Sequence, residues 1–511
     1  MLRSGRVLLL AAGVCLWACP ASRPPRPARE LVLSVPYEVD SIDPHARNRL
    51  SNFAVLSHVY EPLVTADPAM TIRPCLAVRW DNPDLVTWVF HLRPGVRFHD
   101  GRALTAEDVV ASFERLLGSR GLEMAAYVSN VAGVRALSPT TVELKTKRPM
   151  AILLNQLRFI LIVPKGTDDA ALKSAAVGTG PYRMTAPPAD GELRLRRNDL
   201  YWGVGPAFEE ALFRLGRSPE QALQDLVAGR STLVQCNSRR LEEAARNLPD
   251  VKVVRNNSIF VKYLSYDMKS ETTGFVSGVA RNPFRDVRVR RAVSLAVDRA
   301  ALVSRLSTYA VPANQPVPQF IFGFNPALPD LRPDPAEARR LLAEAGFPNG
   351  FAVTLHVRRL FGEAARVVKE MLAPVGIAVT MVELPDREFF DVVANHRASL
   401  FLNRFGCPTG DAGDTLDNAF HSIDPARHLG ENNDGQYSNP ALDALMEESV
   451  GLLQMERRRP LLQKVMALTM EDQAWVPLYV DQDVYGVHRS LSWQPRNDNF
   501  VLAAEVRPST R

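Results

Sequence analysis

His99 and Asp100 stand side by side ahead of Gly101, and the acidic pair Glu107-Asp108 follows on what reads as a helix. A histidine beside a carboxylate could relay a proton or hold a metal ion. Either chemistry needs a third partner, and the neighbouring residues offer none. The nine histidines are scattered, with no His-x-x-x-His or His-Glu-x-x-His pairing of a zinc site. Gly-x-Ser-x-Gly, Walker and Gly-x-Gly-x-x-Gly stretches are also missing, so no catalytic residue, metal or cofactor is expected.

The elements around the triplet explain it as scaffold. In "TWVFHL" (87 to 92), Trp88, Phe90 and Leu92 share one face, and Val89 and His91 take the other, as in a half-buried strand. Asp100-Gly101 reads as a turn. Thr105 with Asp108 forms a capping box, and Val109, Phe113, Leu116 and Leu117 form the stripe of a helix that buries one side. "LVLSV" (31 to 35), "TVELKT" (141 to 146) and "LRLRR" (193 to 197) read as further strands. Asp334 caps a helix with Pro335 at its first position, and Asn439-Pro440 repeats the device. "FAVTLHV", "GEAARVVKEMLAPVG" and "IAVTMVEL", between Phe351 and Leu384, read as strand, helix, strand, hence a parallel pair. The class is α/β with mixed sheets.

A chain of 511 residues, 46% hydrophobic and 23% charged, exceeds a single core and implies two or three domains. A net charge of +5 without basic runs excludes a nucleic-acid binder. Arg3 and Arg6 precede an apolar run from Val7 to Trp17, too short to span a bilayer, which reads as a signal peptide over residues 1–18. "Leu16-Trp17-Ala18-Cys19" resembles a bacterial lipobox, making Cys19 the lipidated first residue, although Trp17 is bulkier than that pattern prefers. The alternative is an ordinary secretory signal cut slightly later. Residues 19–30 form a proline- and arginine-rich tether. Cys75, Cys236 and Cys407 remain, enough for at most one bridge.

"VYEPLVTAD", "FHLRPGVRFHDGRALTAEDVVASFERL", "VGTGPYRM", "RNDLYWGVGPAFEEALFR", "NPFRDVRVRRAVSLAVDRAALV", "DPAEARRLLAEAGFPNGF" and "YSNPALDALMEES" follow one another between residues 59 and 449. In this order they resemble the extracytoplasmic solute-binding proteins of peptide and nickel ABC importers, family 5. The resemblance implies a two-lobed, Venus-flytrap periplasmic-binding-protein fold with an extra subdomain in the amino-terminal lobe. Lobe 1 would span residues 31–265 with the subdomain at about 50–180, lobe 2 residues 266–478, and residues 479–511 would return to lobe 1. The crossings near 262–268 and 475–482 would be the hinge.

The resemblance also implies where ligand binds. In peptide-binding relatives a Gly-Trp-x-x-Asp stretch on the second lobe holds the peptide α-ammonium. "RFGCPTGDAGDTLDNAFHS" (404 to 422) matches it, with Asp411 at that aspartate and Asp414 at the next acid. A gapless match puts Cys407-Pro408 where the family has Gly-Trp; aligning Gly406 instead puts Cys407 at the tryptophan. Either way the aromatic wall is missing, which implies a bulkier ligand or a loss of peptide specificity. Tyr37 follows the first strand at the cleft. Arg358 and Arg359 follow the first strand of the parallel pair, where one could hold a ligand carboxylate, and Arg404 could neutralise the empty site. The expectation is an exported, lipid-anchored, monomeric receptor in the periplasm or cell envelope. It would pass di- or oligopeptides to a permease; a nickel chelate, opine or saccharide is the alternative ligand, and an exported hydrolase is the alternative from another class.

Overall fold

The computed structural model describes residues 30–510, so the expected signal peptide, Cys19 and the tether up to residue 29 lie outside the described residues. Two long antiparallel strands, Val251–Tyr266 and Val476–His488, form the middle of a twelve-stranded sheet. Their sequences explain their course. Each is apolar at both ends, and the middles, Asn256-Asn257-Ser258 and Asp481-Gln482-Asp483, are polar. Tyr485 and Val487 enter one core, Leu264, Tyr266, Val476 and Leu478 enter another, and the polar middles bridge the space between. The register shifts between Asn257 and Val261 and again between Lys262 and Tyr263, irregularities of the kind that bend a strand.

On one side the sheet continues through Leu233–Gln235, Glu30–Ser34, Glu210–Arg214, Glu192–Arg197 and Tyr182–Met184. On the other it continues through Leu400–Gly406 and Phe351–Arg358, which Ile377–Leu384 joins in parallel along its whole length. The helix Gly362–Leu372 connects that pair, as the alternation of patterns predicts. A separate four-stranded sheet holds Thr87–Leu92 and Thr141–Thr146 and packs under the helix Ala106–Leu117. Thr105 N–H donates to Asp108 Oδ2 at 2.8 Å, completing the capping box. Val109, Phe113 and Leu116 are buried, but Leu117 is 40% exposed. One residue past Leu116 the helix has rotated by about a quarter turn, which carries Leu117 off the buried face.

The recurring motifs meet inside the first core. Glu61 of "VYEPL" is buried and accepts from Thr179 Oγ1 (2.8 Å), Tyr201 OH (2.9 Å) and Trp202 Nε1 (2.9 Å). Gly178 and Gly180 let that segment run against the backbone of His58 and Val59; a Cβ on Gly178 would lie 2.0 Å from the Val59 oxygen. His99 belongs to the same scaffold. Its Nε2 donates to Gly180 O at 3.0 Å, its Nδ1 accepts from Gly178 N–H at 3.3 Å, and burial pushes its pKa down to about 4. Asp100 turns away to Arg102 at 2.8 Å, and Gly101 takes φ +89° in the predicted turn. Cys75, Cys236 and Cys407 are buried free thiols.

Candidate functional site

A cavity of about 790 Å3 opens where the segments 126–130 and 148–156 face the helix Ala412–Ala419 and residues 427–432 and 447–458. Its size suits a small-molecule or short-peptide ligand. The two sides already touch around it. Ala151 N–H donates to Val450 O at 3.0 Å, and Asn155 Nδ2 donates to Thr409 O at 2.8 Å. Met70, from a turn early in the chain, is buried in the same core as Cys407 and Ala412. The segments on the two sides of the cavity are thus in direct contact at its edge.

The expected ligand loop folds as strand, turn and helix. Leu400–Gly406 ends against Phe260, and Gly410, at φ +78°, turns the chain into the helix that Asp411 caps. Asp411 Oδ1 accepts from Gly413 N–H at 2.9 Å, while Oδ2 meets Arg458 Nη1 at 2.5 Å. Both partners are buried, and Asp411 is not among the residues lining the cavity. Asp414 and Asp417 do line it. Thr409 Oγ1 donates to Asp414 at 3.1 Å and Asn418 Nδ2 at 3.2 Å. Each carboxyl group is surrounded by protein and only partly exposed. Burial pushes Asp414 up to about 6, with the Asp411 charge adding to the shift. Burial pushes Asp417 up to about 7, opposed by Arg458 and reinforced by Asp414 and Asp411. Tyr127, across the cavity, is raised by burial and by the charge on Asp414.

The other expected site residues are placed elsewhere. Cys407 is buried with Sγ donating to Asp411 O at 3.2 Å, and its thiol is pushed up to about 12 by burial; Pro408 is half-buried in the adjoining turn. Arg358 is buried on Asp386, with Nε 2.9 Å from Oδ1, whereas Arg359 is exposed. Arg404 lies over the Phe260 ring at 4.3 Å, lowered by burial and by the charge of Arg358. It shares that face of the central strands with the buried Lys262–Asp481 ion pair. Tyr37 OH donates to Asn499 O at 2.8 Å and accepts from Val501 N–H at 3.1 Å, bracing the carboxy-terminal segment.

Asp417, Arg458 and Tyr127 were not singled out from sequence. Asp417 carries a usable signal, since it stands three residues after Asp414 and so is its neighbour on the helix surface. Arg458 is indistinguishable by pattern from Arg457 and Arg459 beside it.

Comparison with known proteins places this architecture. The sequence pattern of "Bacterial extracellular solute-binding proteins, family 5 Middle" matches residues 71–425, so the chain belongs to that family. It is a two-lobed solute-binding protein of ABC importers, a class that binds its substrate without converting it. The chain is 26% identical over 510 residues to the glutathione-binding protein GsiB of Escherichia coli (strain K12), covering 96% of this chain and 95% of that one. It is 26% identical over 459 residues to heme-binding protein A of Haemophilus influenzae, covering 82% and 81%. The periplasmic binding protein DppA of Helicobacter pylori, in complex with the peptide STSA, superposes with a TM-score of 0.78 at 22% identity, covering 94% and 98%. No described helix is long and apolar enough to cross a membrane.

Proposed function

We propose that this chain is the receptor subunit of a peptide importer, closing its two lobes on a di- or oligopeptide and releasing it to a membrane permease. The observation that supports this reading is the cavity lined by Asp414, which in this reading lies between the lobes with Asp414 on the second-lobe wall. A carboxylate there suits a peptide α-ammonium, because a site shielded from water strengthens a charge pair. In this reading Asp411 positions the helix and Arg458, and Cys407 and Pro408 shape the turn before it. Arg358, Arg359 and Arg404 lie on the route of a ligand carboxylate or of the hinge, and Tyr37 steadies the first lobe. Lobe 1 comprises residues 31–265 and 479–511, with the subdomain near 50–180, and lobe 2 residues 266–478. The two polar strand middles between the cores, residues 256–258 and 481–483, support a hinge there, on the first strand a few residues before the expected 262–268.

The mature protein is a monomer, exported and held at the cell envelope through lipid on Cys19; the basic, short apolar amino terminus and the Leu16–Cys19 stretch support this. Thermal shift against a pool of free-amino peptides tests the function. A rise in Tm, with the recovered peptides chemically unchanged, is expected. No shift with peptides, together with a shift for a heme or a metal chelate, would replace the peptide by that solute.

A further inference from the structure

The charges around the cavity do not balance. Asp414 accepts only from the neutral groups of Thr409 and Asn418. Asp417, three residues on, lines the same cavity, and among the described residues no hydrogen-bond donor acts on its carboxyl group. Of the two groups whose positive charge acts on Asp417, Arg458 is already held by Asp411 at 2.5 Å, and His421 lies between Asp443 and Glu447. Arg427 is taken by Asp424 and Glu447, and His428 by Glu431, at 2.6 to 2.8 Å. Asp414 and Asp417, about 5–6 Å apart at Cβ and one helical turn from each other, therefore face a cavity in which Arg148, on the far side, is the one lining arginine among the described residues not already held by a carboxylate. A charge surrounded by protein is unfavourable until a partner arrives, and here the partner has to enter with the ligand.

We propose that the ligand carries two cationic nitrogens that engage Asp414 and Asp417 together. Resting on the peptide reading above, it is a peptide with a basic side chain close to its free amino terminus. A lysine at the first position holds both nitrogens on one flexible chain able to follow a helical turn. Arg148, exposed on the opposite side of the cavity and without an ion pair among the described residues, is placed for the carboxylate end. The raised pKa values agree with this, since both groups are poised to give up a proton when a cation docks.

Calorimetry at pH 7.5 with three probes decides the matter: Lys-Ala-Ala, its norleucine twin norleucyl-Ala-Ala, and 1,4-diaminobutane. The lysine peptide is expected to bind about tenfold or more tighter than the twin, the order of one charge-assisted contact. Asp417→Asn should bring the two peptides to within about twofold of each other, and acidifying to pH 5 should do the same in the unaltered protein. Binding of the diamine alone would uphold the dicationic site and overturn the peptide reading. Equal binding of the two peptides would overturn the dicationic site and leave the receptor reading intact. Binding of none of the three overturns both. Circular dichroism of Asp417→Asn confirms that any loss is not unfolding.

Discussion

Arg458 Nη1 lies 2.5 Å from Asp411 Oδ2, and its Nε donates to Ser449 O at 3.0 Å, so one guanidinium ties the start of the cavity helix to the end of the helix Pro440–Val450. Both partners are buried. The aspartate that the family pattern offers to the ligand is thus engaged within the protein, and the acids free to act lie further along its helix. Removing one member of a buried pair leaves the other without compensation, at about 3–5 kcal/mol. Arg458→Met should lower stability by that order in chemical denaturation. Asp411→Asn keeps the helix cap and should lose less. The double variant should fall well short of the sum of the two, as a double-mutant cycle would read.

Asp414 and Asp417 set a pH dependence of opposite sign to a salt-bridged acid. Their folded values, about 6 and about 7, exceed the ordinary 3.8, so the folded chain holds protons that the unfolded chain releases between those values. Their contribution to stability is complete below pH 3.8 and is lost as pH rises through 6 and 7. Asp417→Asn should remove part of that decline and raise the Tm of the empty protein at pH 7.5 by roughly 2 °C or more. A lower Tm would contradict the assignment.

His45, His58 and His99 act the other way. Burial pushes each down to about 4 from 6.5, so their contribution is complete above pH 6.5 and is lost as pH falls towards 4. His99→Ala strands Gly178 N–H, while Gly180 O keeps its bond from Asn198 Nδ2 at 3.0 Å, and should destabilise by about 1–3 kcal/mol. Ligand affinity should stay within twofold in calorimetry; a large loss in a folded variant would restore a binding role to His99.

Glu61→Ala should be more damaging than either histidine change. It leaves Thr179, Tyr201 and Trp202 with donors aimed at an empty acceptor, and each unpaired buried group loses about 1–3 kcal/mol. Scanning calorimetry should show a large fall in Tm. Tryptophan fluorescence should shift as Trp202 loses its partner and its contact with Arg93, 4.1 Å above the ring.

The three thiols should be silent in the native state. Burial pushes Cys236 up to about 11 and Cys407 up to about 12, and Cys75 is raised as well. A thiol reagent at pH 8 should label none of them until denaturant is added. Fast native labelling of Cys407 would contradict its burial in the native state.

Local pattern made much of this protein legible. Alternation in "TWVFHL", the caps at Thr105, Asp334 and Asn439, and the strand, helix, strand order of 351–384 all depend on neighbours within a turn or two, and each matches the observed elements. Ordered motifs were enough to indicate the family, because residues such as Glu61, Gly178 and Trp202 meet in one core and leave a recognisable trace even when read singly. Leu117 slipped through because a stripe read from spacing has no sharp edge.

Which acid faces the cavity was not legible. Asp411, Asp414 and Asp417 are chemically identical and equally spaced, and what separates them is an arginine 47 residues beyond the first. Sequence determined that a capped, acid-bearing helix would stand at the ligand loop. Only the tertiary structure decided that Arg458 would occupy its first carboxylate and leave the next two to the cavity, because a side chain's charge partner is set by long-range packing.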